Sequence, residues 1–138
     1  MSSSRTITIS NKIEELEKVS EFLEEFCEIH EIPIKISNTF QIVIDELLSN
    51  TIFYGFSKKD KGSIEIQLTL EENIFVVVLI DDGKKFDPHD APQPDLLNQD
   101  IENKQIGGLG INIVKKMTDS FKYERKKNKN IVTLSKKI

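Results

Sequence analysis

Glu46 and Asn50 stand four residues apart in a run whose apolar residues recur at helical spacing. On a helix their side chains lie one above the other. The carboxylate can take a proton from a hydroxyl or a water, and the amide oxygen can ligate a hard cation such as Mg²⁺, which keeps several waters and needs few protein ligands. A second stretch, Asp81-Asp82-Gly83, closes a strongly apolar run. A carboxylate at the end of a buried strand accepts a donor, and the exocyclic amine of adenine offers one. Gly83 has no Cβ to hold off a flat base. A third stretch, Gly107-Gly108-Leu109-Gly110, comes directly before another helical pattern. Exposed amides and the helix dipole suit an anion there, and glycines let phosphate oxygens come close. No Lys-Ser/Thr follows the last glycine, so this is not a P-loop, and no strand leads into it, so it is not a dinucleotide fingerprint. Taken singly, the three stretches have plainer readings: an exposed pair, a turn, and a hinge with a helix cap. Taken together and in this order they describe one nucleotide site. In it Asn50 serves the metal and Glu46 polarises the group that attacks the γ-phosphate.

These residues need a scaffold, and 138 residues suit one domain, 1–138. Such a chain buries roughly two-thirds of its unfolded surface. A net charge of −4 makes a poor general nucleic-acid binder, because phosphate binding needs concentrated Lys and Arg. A single cysteine, Cys27, excludes an internal disulfide framework and a cysteine zinc cluster, and its place on an apolar helix face predicts a buried small hydrophobe. The first residues carry no signal-peptide core and no apolar run approaches a membrane span, so the expectation is a soluble protein of the cytoplasm with no membrane partner.

The elements follow from periodicity. Thr6 to Ile9 alternates as a short edge strand. Asn11 and Glu14 form a capping-box pattern before a helix with Ile13, Leu16, Val19, Phe22, Leu23, Phe26 and Cys27 on its apolar side. The other side is a row of glutamates, a solvated face or a docking surface for a basic partner. Ser37-Asn38 with Gln41 predicts the start of the next helix, which Gly55 stops. Ile64 to Leu70 and Ile74 to Ile80 read as a hairpin, the second strand covered on both faces or nearly so. Residues 84–106 are proline-rich and aperiodic, which predicts a lid or a disordered loop, with one short helical turn at Leu96-Leu97. A helix follows with Ile111, Val114 and Met117 inward. Then comes a last hairpin, Phe121 to Lys127 and Ile131 to Ile138, turning at Asn128-Lys129-Asn130. The predicted class is α+β, a mainly antiparallel sheet covered on one face by helices.

With these motifs placed, the chain resembles the GHKL ATPase superfamily, and within it the small bacterial anti-sigma regulatory factors that act as serine kinases. Glu46-Leu47-Leu48-Ser49-Asn50 resembles their N box. Asp81-Asp82-Gly83-Lys84-Lys85-Phe86-Asp87-Pro88 is similar to their Asp-x-Gly-x-x-Phe-Asp-Pro box. Gly107-Gly108-Leu109-Gly110-Ile111, with Met117, Asp119 and Tyr123 downstream, looks like their second glycine box. The resemblance implies a two-layer α/β sandwich of the histidine-kinase-like type and an ATP lid over about 84–106. It implies that Asn50 binds Mg²⁺ and that Asp81 hydrogen-bonds the adenine amine. Gly83, Gly107, Gly108 and Gly110, with Leu109 in the same box, would shape the ATP pocket, and Glu46 would activate a substrate serine. The implied partners are an anti-sigma-factor antagonist, a sigma factor and a second copy of the chain in a homodimer, with no direct nucleic-acid contact. An ATP-binding regulatory module with little or no phosphotransfer is the other reading. Two positions depart from the pattern. Tyr54 stands where a histidine is common. Asn130-Ile131 stand near the usual Gly-Thr, whose hydroxyl supports the adenine-binding Asp, and Thr133 is the expected substitute. His89 falls in the lid, apart from any helical dimerisation segment, so the chain does not read as a complete sensor histidine kinase.

Overall fold

Two tight hairpins build most of the sheet. In a computed structural model, which describes residues 2–57, 60–91 and 110–138, strands β2 (Ser63–Glu71) and β3 (Ile74–Asp81) pair antiparallel across Glu72-Asn73. Both turn residues have positive φ, 48° and 66°, the twist that suits a two-residue hairpin turn. Strands β4 (Ser120–Lys126) and β5 (Lys129–Lys137) do the same across Lys127-Asn128, with φ of 52° and 61°. This turn lies earlier than the expected Asn128-Lys129-Asn130, so Asn130 belongs to β5. The first strand, β1 (Ser2–Ser10), is an edge as expected but longer than its alternating core. The strand order is β1-β2-β3-β5-β4, antiparallel throughout.

Three helices lie against this sheet among the described residues: α1 (Leu16–Ile29), α2 (Ile34–Gly55) and α3 (Ile111–Met117). Alternation decides which face of the sheet they meet. Ile64, Ile66 and Leu68 of β2, Phe75, Val77 and Leu79 of β3, and Val132 and Leu134 of β5 join Leu23, Phe26, Phe40, Val43 and Leu47 of the helices in one core. Phe75 packs between Phe26 and Phe40, with ring centroids 5.9 Å and 4.7 Å away. Each such buried ring contributes about 1.5–3 kcal/mol. Cys27 is buried in the same core, which raises its thiol pKa. The other face of β3 carries Val76, Val78 and Ile80 only half-buried, and Ile74 is 44% exposed. The expectation of cover on both faces was therefore wrong. The β-branched run reflects fitness for a pleated strand more than burial.

Neither helix starts with the capping pattern expected of it. Asn11 instead clamps the loop before β2, donating to the Asp60 carbonyl at 3.0 Å and accepting from the Gly62 amide at 3.0 Å. α2 begins at Ile34 directly after Pro33, whose φ of −53° is already helical, with no side-chain cap. That places Ser37 and Asn38 inside the helix. Gln41 spans to α1, where it exchanges hydrogen bonds with Ser20 at 2.8 Å and 3.0 Å. Gly55 ends α2 as predicted.

Candidate functional site

α2 carries Glu46 and Asn50 one turn apart. Glu46 is 3% exposed although it is a carboxylate on a helix. Its Oε1 accepts the Gly110 amide at 3.1 Å, and the Asn50 Nδ2 donates to the same oxygen over a long 3.5 Å. Gly110 is the residue from which α3 starts, with φ 82° and ψ 162°, a conformation that favours glycine. The first amides of a helix have no partner inside it. Glu46 meets one of them, so its carboxylate fastens α2 to the root of α3. The last glycine of the glycine box and the first residue of the N box are thereby brought together. Gly107, Gly108 and Leu109 lie outside the described residues, as do positions 92–106 of the expected lid and its turn at Leu96-Leu97.

Asp81 ends β3 at 7% exposure. Its Oδ1 accepts two hydrogen bonds at 2.9 Å, one from the Gly83 amide and one from the Asn130 Nδ2. Burial raises its carboxyl pKa, and those two bonds together with Arg125 oppose the rise. Asn130 sits directly opposite Asp81 in the β3–β5 register. It is 2% exposed and makes four hydrogen bonds. Its Nδ2 donates to Asp81 and, at 2.8 Å, to the Lys84 carbonyl; its Oδ1 accepts from the Phe86 amide at 3.2 Å and the Tyr123 hydroxyl at 2.6 Å. An amide has two donors and two strong acceptor sites, so this one is fully used. Its orientation is fixed by the Phe86 amide, which can only donate to Oδ1, and the Lys84 carbonyl, which can only accept from Nδ2.

Asn130 is the residue that sequence reasoning missed. The support for Asp81 comes from an amide, and Thr133 does not provide it. Thr133 faces away, because Asn130, Val132 and Leu134 are the buried set of β5. That period-two pattern was readable and would have placed Asn130 inward. Arg125, on β4, donates to the Gly83 carbonyl at 2.8 Å.

Gly83 is needed for a reason other than the approach of a base. A Cβ there would lie 2.5 Å from the Gly55 carbonyl oxygen and 3.0 Å from Asp81 Oδ1. The same carbonyl accepts the Lys84 amide at 3.0 Å. Gly83→Ala must push the loop off the end of α2, so it should cost about 1–3 kcal/mol of stability and weaken nucleotide binding as well. Denaturant unfolding checks the first part; an unchanged midpoint would show that the contact yields freely.

The remaining departures have local explanations. Tyr54 packs on Phe86, centroids 5.8 Å apart, and braces the loop after Gly83. His89 lies in a short turn, Pro88–Asp90, stacked on Phe121 at 4.0 Å, with Nδ1 2.7 Å from Asp87 Oδ1 and Nε2 3.2 Å from the Phe121 carbonyl. Each ring nitrogen faces an oxygen acceptor, and with the stack on Phe121 this anchors the turn.

The Asp81 and Glu46 clusters attach to α2 at Gly55 and Glu46, about 13 Å apart along the helix. One end offers a carboxylate acceptor held by fixed donors, the other a carboxylate with an amide beside it. No group of three or more His, Cys, Asp or Glu among the described residues could hold a metal by itself. A divalent cation at Asn50 would therefore take its other ligands from water and from an anionic ligand, which is how Mg²⁺ binds with phosphates.

An antiparallel sheet under helices, with both clusters attached to one helix, is the architecture of the histidine kinase-like ATPase class. The chain belongs to the histidine kinase-like ATPase domain family, whose profile matches residues 9–136. It is 28% identical over 85 residues to "Serine-protein kinase RsbW" of Listeria monocytogenes, covering 59% of this chain and 54% of that protein. It is 25% identical over 97 residues to "Serine/threonine-protein kinase BtrW" of Bordetella bronchiseptica, covering 70% of this chain and 68% of that one. The chain thus spans about half the length of the Listeria kinase. Among solved structures, the RsbU and RsbW domains of Rv1364c from Mycobacterium tuberculosis share the fold. The TM-score is 0.70 at 14% identity, over 98% of this chain and 32% of that chain. Membership of this family implies use of ATP. No helix among the described residues is long and apolar enough to cross a membrane.

Proposed function

We propose that this chain is an ATP- and Mg²⁺-dependent serine kinase acting as a cytoplasmic anti-sigma regulatory factor. It phosphorylates a serine of an anti-sigma-factor antagonist, binds a sigma factor when the antagonist is absent, and works as a homodimer. The observation that carries the reading is the buried Glu46 beside Asn50 on α2, bonded to the amide that starts α3. The names of the relatives support the choice of serine as acceptor.

Bound ATP·Mg²⁺ would supply the transferable phosphoryl group and neutralise its charge. Asp81 would accept the adenine amine through the oxygen left by Gly83 and Asn130. Asn50 would turn its amide oxygen to the cation, its nitrogen being directed to Glu46. Glu46 would take the proton of the attacking serine hydroxyl. Purified chain with Mg²⁺, ATP and the candidate antagonist should give phosphoserine on the antagonist.

One observation favours a second reading, an ATP-binding regulatory module with little transfer. One oxygen of the Glu46 carboxylate already accepts the Gly110 amide, a structural task that competes with the role of base. Tight ATP·Mg²⁺ binding by calorimetry, with no phosphate reaching any candidate antagonist, decides for that module.

A further inference from the structure

We propose that the groove between α1 and α2 docks an apolar protein segment carrying a lysine or arginine. The groove encloses about 370 Å³. Val19 and Leu23 of α1 and Ile44 and Leu48 of α2, each no more than 2% exposed, form its floor, and half-buried Leu16 rims it. Ser20 and Gln41, bonded to each other, join the helices at its edge. Ile42, 38% exposed, extends the apolar surface outward. Asp45 stands among these residues with its outer side in water, and apolar surroundings raise its carboxyl pKa. No cation among the described residues pairs with it. A cation seated at this rim would make a charge-assisted contact with Asp45.

The length of the acidic surface selects a protein over a small amine. Glu17, Glu21, Glu24 and Glu28 lie exposed along α1, and none has an ion pair among the described residues. Glu15 and Glu25, in contrast, are met by Lys18 at 2.6 Å and Arg5 at 3.5 Å. The unpaired row runs about 16 Å along the helix, far longer than one small ligand. An amphipathic basic segment fits both parts, with apolar side chains in the groove and cations at Asp45 and the glutamate row. This inference does not depend on phosphotransfer, since neither Asp45 nor the groove walls belong to the nucleotide clusters, although Glu46 also borders the groove.

The test uses the ¹⁵N-labelled full chain titrated with a Leu/Lys amphipathic helical peptide, its Leu/Glu counterpart and hexylamine. The Leu/Lys peptide should move amide signals of α1 and α2 and bind at least about tenfold more tightly than the Leu/Glu peptide. Asp45→Lys reverses the rim charge and Ser20→Phe fills the groove; each should weaken the peptide about tenfold with ATP binding unchanged. Signals moving on the open sheet face or the β4–β5 hairpin instead would overturn the proposal, as would undiminished binding by Asp45→Lys. Hexylamine binding as tightly as the peptide would assign the groove to a small molecule and overturn the protein segment. Wild-type chain that fails to bind ATP but takes the peptide sinks the kinase reading and leaves this one standing.

Discussion

Glu46→Gln should bind ATP·Mg²⁺ within a few fold of the wild type and transfer phosphate about 10²–10⁴ times more slowly. A glutamine oxygen can still accept the Gly110 amide and the Asn50 amide, two contacts that Oε1 makes now. What disappears is the negative charge and with it the capacity to take a proton. Glu46→Ala is the poorer experiment, because it leaves the Gly110 N–H buried without its acceptor and loosens the root of α3, at about 1–3 kcal/mol. A fall in ATP affinity for the alanine variant would report that lost fastening and would say nothing about a base. Single-turnover transfer to the antagonist, compared with the calorimetric Kd for ATP, separates the two effects. If Glu46→Gln transfers phosphate at the wild-type rate, Glu46 is not the base and its burial is wholly structural.

The same pair shows how far the sequence could be read. The types and spacing of Glu46 and Asn50 were legible because one helical turn brings them together. The partner of Glu46 was not, because Gly110 lies 64 residues along the chain and meets it only when α3 packs against α2. Strands were legible where side chains alternate, as at Ile64, Ile66 and Leu68. The last turn was misplaced by sequence because lysine at positive φ is uncommon, yet Lys127 adopts 52° and moves Asn130 into the strand. Helix starts were misread for a related reason. Ser37-Asn38 has the composition of a cap, but Ile36 is buried and the helix extends back to Pro33 to include it. A local capping energy of about 1 kcal/mol loses to the burial of a large apolar side chain.

Asp81→Asn should separate stability from binding in opposite directions. In the wild type, burial raises the carboxyl pKa above the ordinary aspartate range. The folded chain then holds this proton more tightly than the unfolded chain does. Stability from the group is fully present below the unfolded pKa and is lost as pH rises through the folded one. Asparagine carries no charge at any pH, and its oxygen can accept the Gly83 amide and the Asn130 amide as Oδ1 does now. The variant without ligand should therefore melt higher than the wild type at neutral pH, and the difference should shrink as the pH falls through the acid range. Binding should move the other way. With its oxygen held by two donors, the new side chain presents its NH₂ where a base amine would come, donor against donor. Losing a hydrogen bond to a charged acceptor costs about 1.5–3 kcal/mol, or roughly 10–150-fold in Kd for ATP. Thermal melts across pH and calorimetry with ATP read the two halves independently. Unchanged ATP affinity would remove Asp81 from the nucleotide site, and a lower melting temperature at neutral pH would mean that its charge stabilises the fold.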